Sequence, residues 1–372
     1  APIKLTVEKG IYRNPSYSHY GKQIVYKKEN GNNEQGRTFS KNPGLYLMNS
    51  DGSNNQFVKK QGDYPIFNKD DNRILYQNGG QFFGAITKEL KSIAFNGFNE
   101  RILIKSKHGN RLVPSPDGNW IAFVHLHKVY MAPMPKAGKT LDLTDKSKFI
   151  PITQLSKDAG INLHWSKDSK TIHWTLGNMY YSAEASEGTE LVETGIKINL
   201  NVKTDKPQGK IAFKNARIIT MEGNEIIENG TIVINANKIE AIGKSSDTTI
   251  PSDAKVYDMS GKTIMPGIVD VHAHIGGFRY GLTTQQNWQF MANLAFGVTT
   301  SHDPSANTET VFSLSELQKS GGLIGPRLYS TGFILYGADG DFKAVINNLE
   351  DARSSIRRTK AFGAKSVKSY NQ

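Results

Sequence analysis

No cysteine occurs anywhere in the 372 residues. Disulfides and thiolate-bound metals are thereby excluded, so any metal centre must draw on histidine, carboxylate or lysine-derived ligands. Long apolar runs are missing too. No stretch reaches the ~18 to 20 residues that a bilayer-spanning helix requires, so no membrane span is expected. The chain lacks an initiator methionine and a signal peptide, and it opens on Ala1-Pro2-Ile3 in strand-like sequence, as a piece of a longer protein would. Runs of one charge are also absent. The net charge is +12, but pairs such as Lys27-Lys28, Lys59-Lys60 and Arg357-Arg358 never extend. That pattern describes a solvated basic surface and argues against a nucleic-acid partner.

What remains is ample for folding. A hydrophobic fraction of 37% with 10% aromatics fills real cores, and the length suits two or three domains. One pattern recurs four times, at Pro15–Tyr26, Pro65–Tyr76, Val113–Phe123 and His164–Trp174. Each copy is a strand, a polar turn and a second strand of alternating apolar and aromatic residues. Ser115-Pro116-Asp117-Gly118 is the clearest turn. The period of about 50 residues lies in the range of propeller blades. This repeat resembles the TolB-type propeller, whose blades carry Ser-Pro-Asp-Gly before a strand like Ile121-Ala122-Phe123. The resemblance implies an incomplete all-β propeller of about four blades over residues 1–205, a domain that binds partners or gates access. It also favours a periplasmic or secreted location.

The pattern weakens between Ala183 and Gly209. Short strands then follow at Lys210–Met221, Glu225–Glu228, Gly230–Ile234, Lys238–Gly243, Val256–Met259 and Lys262–Ile264, which read as a small antiparallel domain over residues 206–267. From residue 268 the style changes to alternating strand and helix, the mark of a parallel α/β fold. Trp288, Met291, Ala292 and Ala295 make an amphipathic stripe that Gly297 ends. Val298–Asp303 is a strand, Thr308 caps a helix to about Lys319, and Arg327–Thr331 is the next strand. Asp341 is the expected cap of a long helix with Phe342, Val345, Ile346, Leu349 and Ile356 on one face. Ala364–Tyr370 is then strand four.

The chemistry gathers where this half begins. Met265–His274 is an apolar run behind the turn Pro266-Gly267, and it ends in two histidines before Gly276-Gly277. Alternation along a strand puts His272 and His274 on one face, spaced as two ligands of one metal, with Asp270 beside them. Chance alone supplies one HxH in roughly one such chain in five. Val124-His125-Leu126-His127 is a second one, without an acidic partner or a glycine-rich exit, and it reads as two surface histidines at a strand end.

Lys210 through His274 into Gly297-Val298-Thr299-Thr300 resembles the amidohydrolase superfamily. Its members place a small β-sandwich before a (β/α)₈ TIM barrel, with HxH ending the first barrel strand. The implied architecture is multidomain: a partial propeller, a small β-sandwich, and the first half of a TIM barrel over residues 268–372. His272 and His274 match the ligands of the more buried metal. Lys368 matches the lysine that is carboxylated and bridges two zinc ions. A hydroxide held between the metals then attacks an amide, peptide or cyclic-amide carbonyl. Asp270 fits a supporting or turn role better than a ligand. His302 and Asp303 end strand two on the same rim, where they touch substrate or cap the loop before Pro304. Glycines 337 and 340 flank a loop of that rim. In the family two more histidines and a general-base aspartate follow, all beyond Gln372, so the resemblance implies that the missing half of the barrel is a partner and that this chain alone is inactive. Two other readings stay open: a non-catalytic propeller and barrel scaffold, and a single-metal deaminase with Lys368 unmodified.

Overall fold

A computed structural model describes residues 2–31, 41–79, 86–134, 136, 138–275, 286–336 and 344–370. The expectations for Gly276-Gly277, Gly337, Gly340, Asp341 and Phe342 lie outside the described residues. The chain divides into two compact units, Ala1–Asn199 with Phe333–Gln372, and Leu200–Gly332. Among the described residues no helix is long and apolar enough to cross a membrane.

Four antiparallel sheets follow one another along the first unit. The first holds Ile11–Tyr17 (β1), Gln23–Glu29 (β2), Gly44–Asn49 (β3) and Gln56–Lys59 (β4), paired in that order. Asp63–Phe67 (β5), Ile74–Gly79 (β6), Thr87–Ile93 (β7) and Arg101–Lys107 (β8) form the second. Gly109–Pro114 (β9), Trp120–His125 (β10) and Lys128–Pro133 (β11) build the third. Leu141–Asp142 (β12) leaves to join β8 in parallel, and Thr153–Gln154 (β13) completes the third sheet. Ile161–Trp165 (β14), Thr171–Leu176 (β15), Met179–Glu184 (β16) and Ile196–Lys197 (β17) are the fourth.

Each repeat turn is built alike. The side-chain oxygen of Ser18, Asn68, Ser115 or Ser166 accepts from the backbone N–H five residues on, at Gln23, Arg73, Trp120 and Thr171 (2.8–3.1 Å). The residue three places on has a positive φ: Gly21 at 69°, Asp71 at 49°, Gly118 at 70° and Ser169 at 62°. Glycine accepts that conformation without strain, and aspartate and serine at two of the four sites tolerate it at some cost. The degenerate copies therefore keep the bond and lose only the letters. Successive sheets share cores. Val25, Leu45 and Leu47 pack with Ile74 and Tyr76, Leu90 and Ile104 with Ile121 and Phe123, and Val129 and Met131 with Ile172 and Trp174.

In the second unit Lys210–Ile219 (β18), Ile226–Asn235 (β19) and Lys238–Lys244 (β20) are antiparallel neighbours. Ala254–Asp258 (β21) and Thr263–Ile264 (β22) run parallel to β18, so the sheet is mixed, where local alternation suggested an antiparallel one. Strand direction is set by the path of the intervening loop, which residue periodicity does not record. Ala216, Ile218 and Ile232 form its core.

A three-stranded parallel sheet follows: Ile268–Asp270 (β23), Val298–Asp303 (β24) and Arg327–Ser330 (β25), in that order. Trp288–Ala295 (α1) and Thr308–Ser320 (α2) are the crossovers. Asn287 and Asn307 cap them, one residue ahead of the expected cap in the case of α2. The stripe read on α1 is not its buried face. Trp288 and Met291 are exposed, and Phe290 is the residue fully buried. Phe290 packs where Gly325 carries no Cβ, since a methyl there would sit 2.2 Å from the ring.

The chain then returns to the first unit with Leu335–Tyr336 (β26), Ala344–Val345 (β27) and Leu349–Ala361 (α3). The long helix expected from Asp341 is thus shorter. Val345 lies in a strand, Asn348 is the cap, and Leu349 and Ile356 are exposed. Two acceptors near its start outcompete propensity in setting that boundary: the Asn348 side-chain oxygen accepts from Asp351 N–H, and the Asp351 carboxylate accepts from Asn347 N–H. Of the expected fourth strand, the described residues show a single bridge, Leu335 to Ser369.

Candidate metal centre

Parallel α/β sheets present their ligand sites at the C-terminal strand ends, and the HxH falls at such an end. Gly267 lets the chain enter β23 against β24, because a Cβ there would stand 2.1 Å from Thr299 Oγ1. β23 stops at Asp270, so His272 and His274 lie on the bend beyond it. Two bonds shape that bend. Asp270 accepts from His272 N–H (3.0 Å), and Ala273 N–H donates to the His302 carbonyl (3.0 Å). Ala273 and Ile275 are buried and turn the histidines outward. The two imidazole rings meet edge to face, 5.1 Å between centres. The pair expected on one strand face is thus brought together by a turn.

Behind His274 stands Asp303, the last residue of β24. Its Oδ1 lies 3.1 Å from His274 Nδ1, and its side chain is 3% exposed against 55% for the histidine. An ionised carboxylate only accepts, so Nδ1 carries the proton and Nε2 offers its lone pair. A carboxylate orienting a histidine in this way is the usual companion of a metal-ligating imidazole. Asp303 also accepts from Ser305 N–H (3.2 Å), closing the loop around Pro304. Asp270 serves the turn. His302, half-buried, contributes its carbonyl. Sequence reasoning named Asp303 for the rim and missed its partner. The parallel register that ends β24 beside β23 was the available signal. It also missed Asn287, which is buried, caps α1 and donates to the Ile275 carbonyl (3.4 Å), anchoring the chain just past His274.

Lys368 belongs to the other compact unit. Its carbonyl accepts from Leu335 N–H (2.8 Å), and its ammonium lies 5.6 Å from the Tyr370 ring centre. Among the described residues no three His, Asp or Glu side chains converge as a metal group. Two imidazoles and one supporting carboxylate fit half of a zinc shell, which takes four ligands.

The second HxH differs from its expected surface placement. His125 ends β10 and is buried against His108 and Tyr130. Asp145 Oδ1 is 3.4 Å from its Nδ1, an acidic partner that only the fold brings near. Burial holds the His125 pKa below the ordinary histidine value, with Asp145 opposing.

No protein-family profile matches the chain. A 67-residue stretch is 39% identical to a 5-methylthioadenosine/S-adenosylhomocysteine deaminase of Bacillus thuringiensis, covering 18% of this chain and 15% of that enzyme. Among solved structures, an amidohydrolase is similar at 21% identity and a TM-score of 0.37, over 43% of this chain and 46% of that one. The ochratoxinase of A. niger is similar at 17% identity and a TM-score of 0.34, over 44% and 46%. The chain thus spans less than half the length of each of these three.

Proposed function

We propose that this chain carries the first part of the active site of a metal-dependent amidohydrolase. The observation that supports it most is the edge-to-face pair His272 and His274 at the end of β23, with buried Asp303 behind His274. Zinc is the cation these donors suit, through one ring nitrogen of His272 and the Nε2 lone pair of His274, with Asp303 fixing the His274 tautomer. A bound divalent cation would polarise a substrate carbonyl and acidify water. The protein's own part is to hold the two rings rigid: Asp270 and the His302 carbonyl pin the bend from either side. The finer reading is hydrolysis of amide, peptide or cyclic-amide bonds with two zinc ions and carboxylated Lys368, the four meander sheets serving as propeller blades that present substrate.

Metal binding is the test. Zinc titrated against a chromophoric chelator should bind the wild-type chain and weaken at least tenfold in His272→Ala and in His274→Ala. His125→Ala and His127→Ala should bind as wild type. Undiminished binding in the first two variants overturns the reading and leaves the non-catalytic scaffold. The partial likeness to a deaminase favours a second reading, a single-metal deaminase with Lys368 unmodified. Labelling with ¹³C-bicarbonate at saturating zinc separates them. A carbamate carbon signal that disappears in Lys368→Ala supports the two-metal hydrolase, and its absence in the wild-type chain supports the deaminase.

A further inference from the structure

Helix α3 is docked on the first unit by its polar side. Ser354, Ser355, Arg358 and Thr359 are buried while Leu349 and Ile356 are exposed. Arg357 anchors it through a two-pronged pair with Asp158, Nε to Oδ2 at 2.9 Å and Nη2 to Oδ1 at 2.8 Å. The neighbouring Arg358 has no such partner. It is 4% exposed, and among the described residues its Nε, Nη1 and Nη2 make no hydrogen bond. The centre of the Phe333 ring lies 5.5 Å away. A guanidinium buried without a counter-charge is costly, and burial pulls its pKa down.

Arg358 is one of the residues lining a cavity of about 540 Å³, its three guanidinium nitrogens lying just beneath the cavity surface. That volume lies within the range of small-molecule sites. Of the three aspartates on its wall, Asp158 is paired with Arg357, Asp351 accepts from the Asn347 N–H, and Asp145 lies 3.4 Å from His125 Nδ1. Lys107, Lys128 and Lys146 add positive charge to the wall. The β10–β11 hairpin supplies a further feature. Its two-residue turn is Leu126-His127, at φ 45° and 75°, where Asn-Gly is the unstrained choice. Backbone strain of this kind is retained where a side chain is needed in place, and His127 lines the cavity.

We propose that this cavity is a binding site for a small anionic molecule, held through a carboxylate or phosphate group in the fork of Arg358 with Lys128 and His127 beside it. The planar fork matches either oxyanion with two parallel N–H···O bonds. The site shares no residue with the HxH centre, so it stands or falls independently of the hydrolase reading.

Thermal shift and calorimetric titration of the chain with inorganic phosphate and with succinate, against chloride at equal ionic strength, provide the test. One of the two anions should bind saturably and raise Tm. Phosphate marks a phosphate ligand, and succinate a carboxylate ligand. Arg358→Met should fold, because it removes an unpaired buried charge, and should lose the shift. Arg358→Lys, which keeps the charge without the fork, should bind roughly tenfold more weakly. Should Arg358→Met not fold, the double variant Lys128→Ala with His127→Ala carries the test and should also bind at least tenfold more weakly. No shift beyond that of chloride, or an equal shift in every variant, overturns the proposal.

Discussion

Replacing Asp303 by asparagine isolates the part of the candidate site that the fold adds to the sequence motif. The two side chains have the same shape, so the acceptor for Ser305 N–H is kept, while the charge beside His274 Nδ1 is lost. The carboxylate stands 3.1 Å from Nδ1 and is 3% exposed, so its charge reaches the imidazole from the buried side. Supporting carboxylates of this kind contribute about 10- to 100-fold to metal affinity, or roughly 1.4 to 2.7 kcal/mol. Chelator competition with zinc should therefore place Asp303→Asn one to two decades below wild type. Asp270→Asn is the control. Among the described residues Asp270 bonds a backbone N–H of the bend, which asparagine can also accept, so the change should cost well under tenfold. Asp303→Asn binding zinc within twofold of wild type, while His274→Ala loses it, would falsify the orienting role.

Three further outcomes are expected. Ser115→Ala leaves the Trp120 N–H and Asp117 without the bonds that close the third repeat turn, which should cost about 1 to 2 kcal/mol in urea unfolding; a loss below 0.3 kcal/mol refutes the shared turn device. Gly267→Ala forces β23 away from Thr299 and should lower stability by roughly 1 to 3 kcal/mol, with weaker zinc binding as the bend shifts; wild-type behaviour would show that the entry is slack. Burial raises the Glu309 pKa above the ordinary glutamate value, outweighing the favourable N-terminus of α2. A raised folded-state pKa means the associated stability is present below the unfolded value and is lost as pH climbs through the folded one. Glu309→Gln should accordingly raise Tm near pH 8 and leave it unchanged near pH 4, and the reverse order refutes the assignment.

Much of the organisation is legible in local sequence. The four repeats became four meander sheets, because the Ser, Asn and Gly positions of their turns act over five residues. β24 begins and ends as its Val298–Asp303 run suggests, and α1 spans its Trp288–Ala295 stripe. The misread features are those that depend on a distant neighbour. The stripe of α1 faces outward because Gly325, 35 residues downstream of Phe290, opens the space that Phe290 fills. His125 is buried because His108 and Asp145 reach it from other loops.

The histidines themselves, their spacing and the strand that leads to them were determined by sequence alone, since backbone geometry and turn chemistry operate within a few residues. Which rings meet, which carboxylate stands behind them and which arginine is shut away from water were decided only by tertiary structure. Those relations join residues 29 apart, as for His274 and Asp303, or 199 apart, as for Asp158 and Arg357. Burial is what gives them weight, because a charge removed from water must find its partner wherever the fold has placed one.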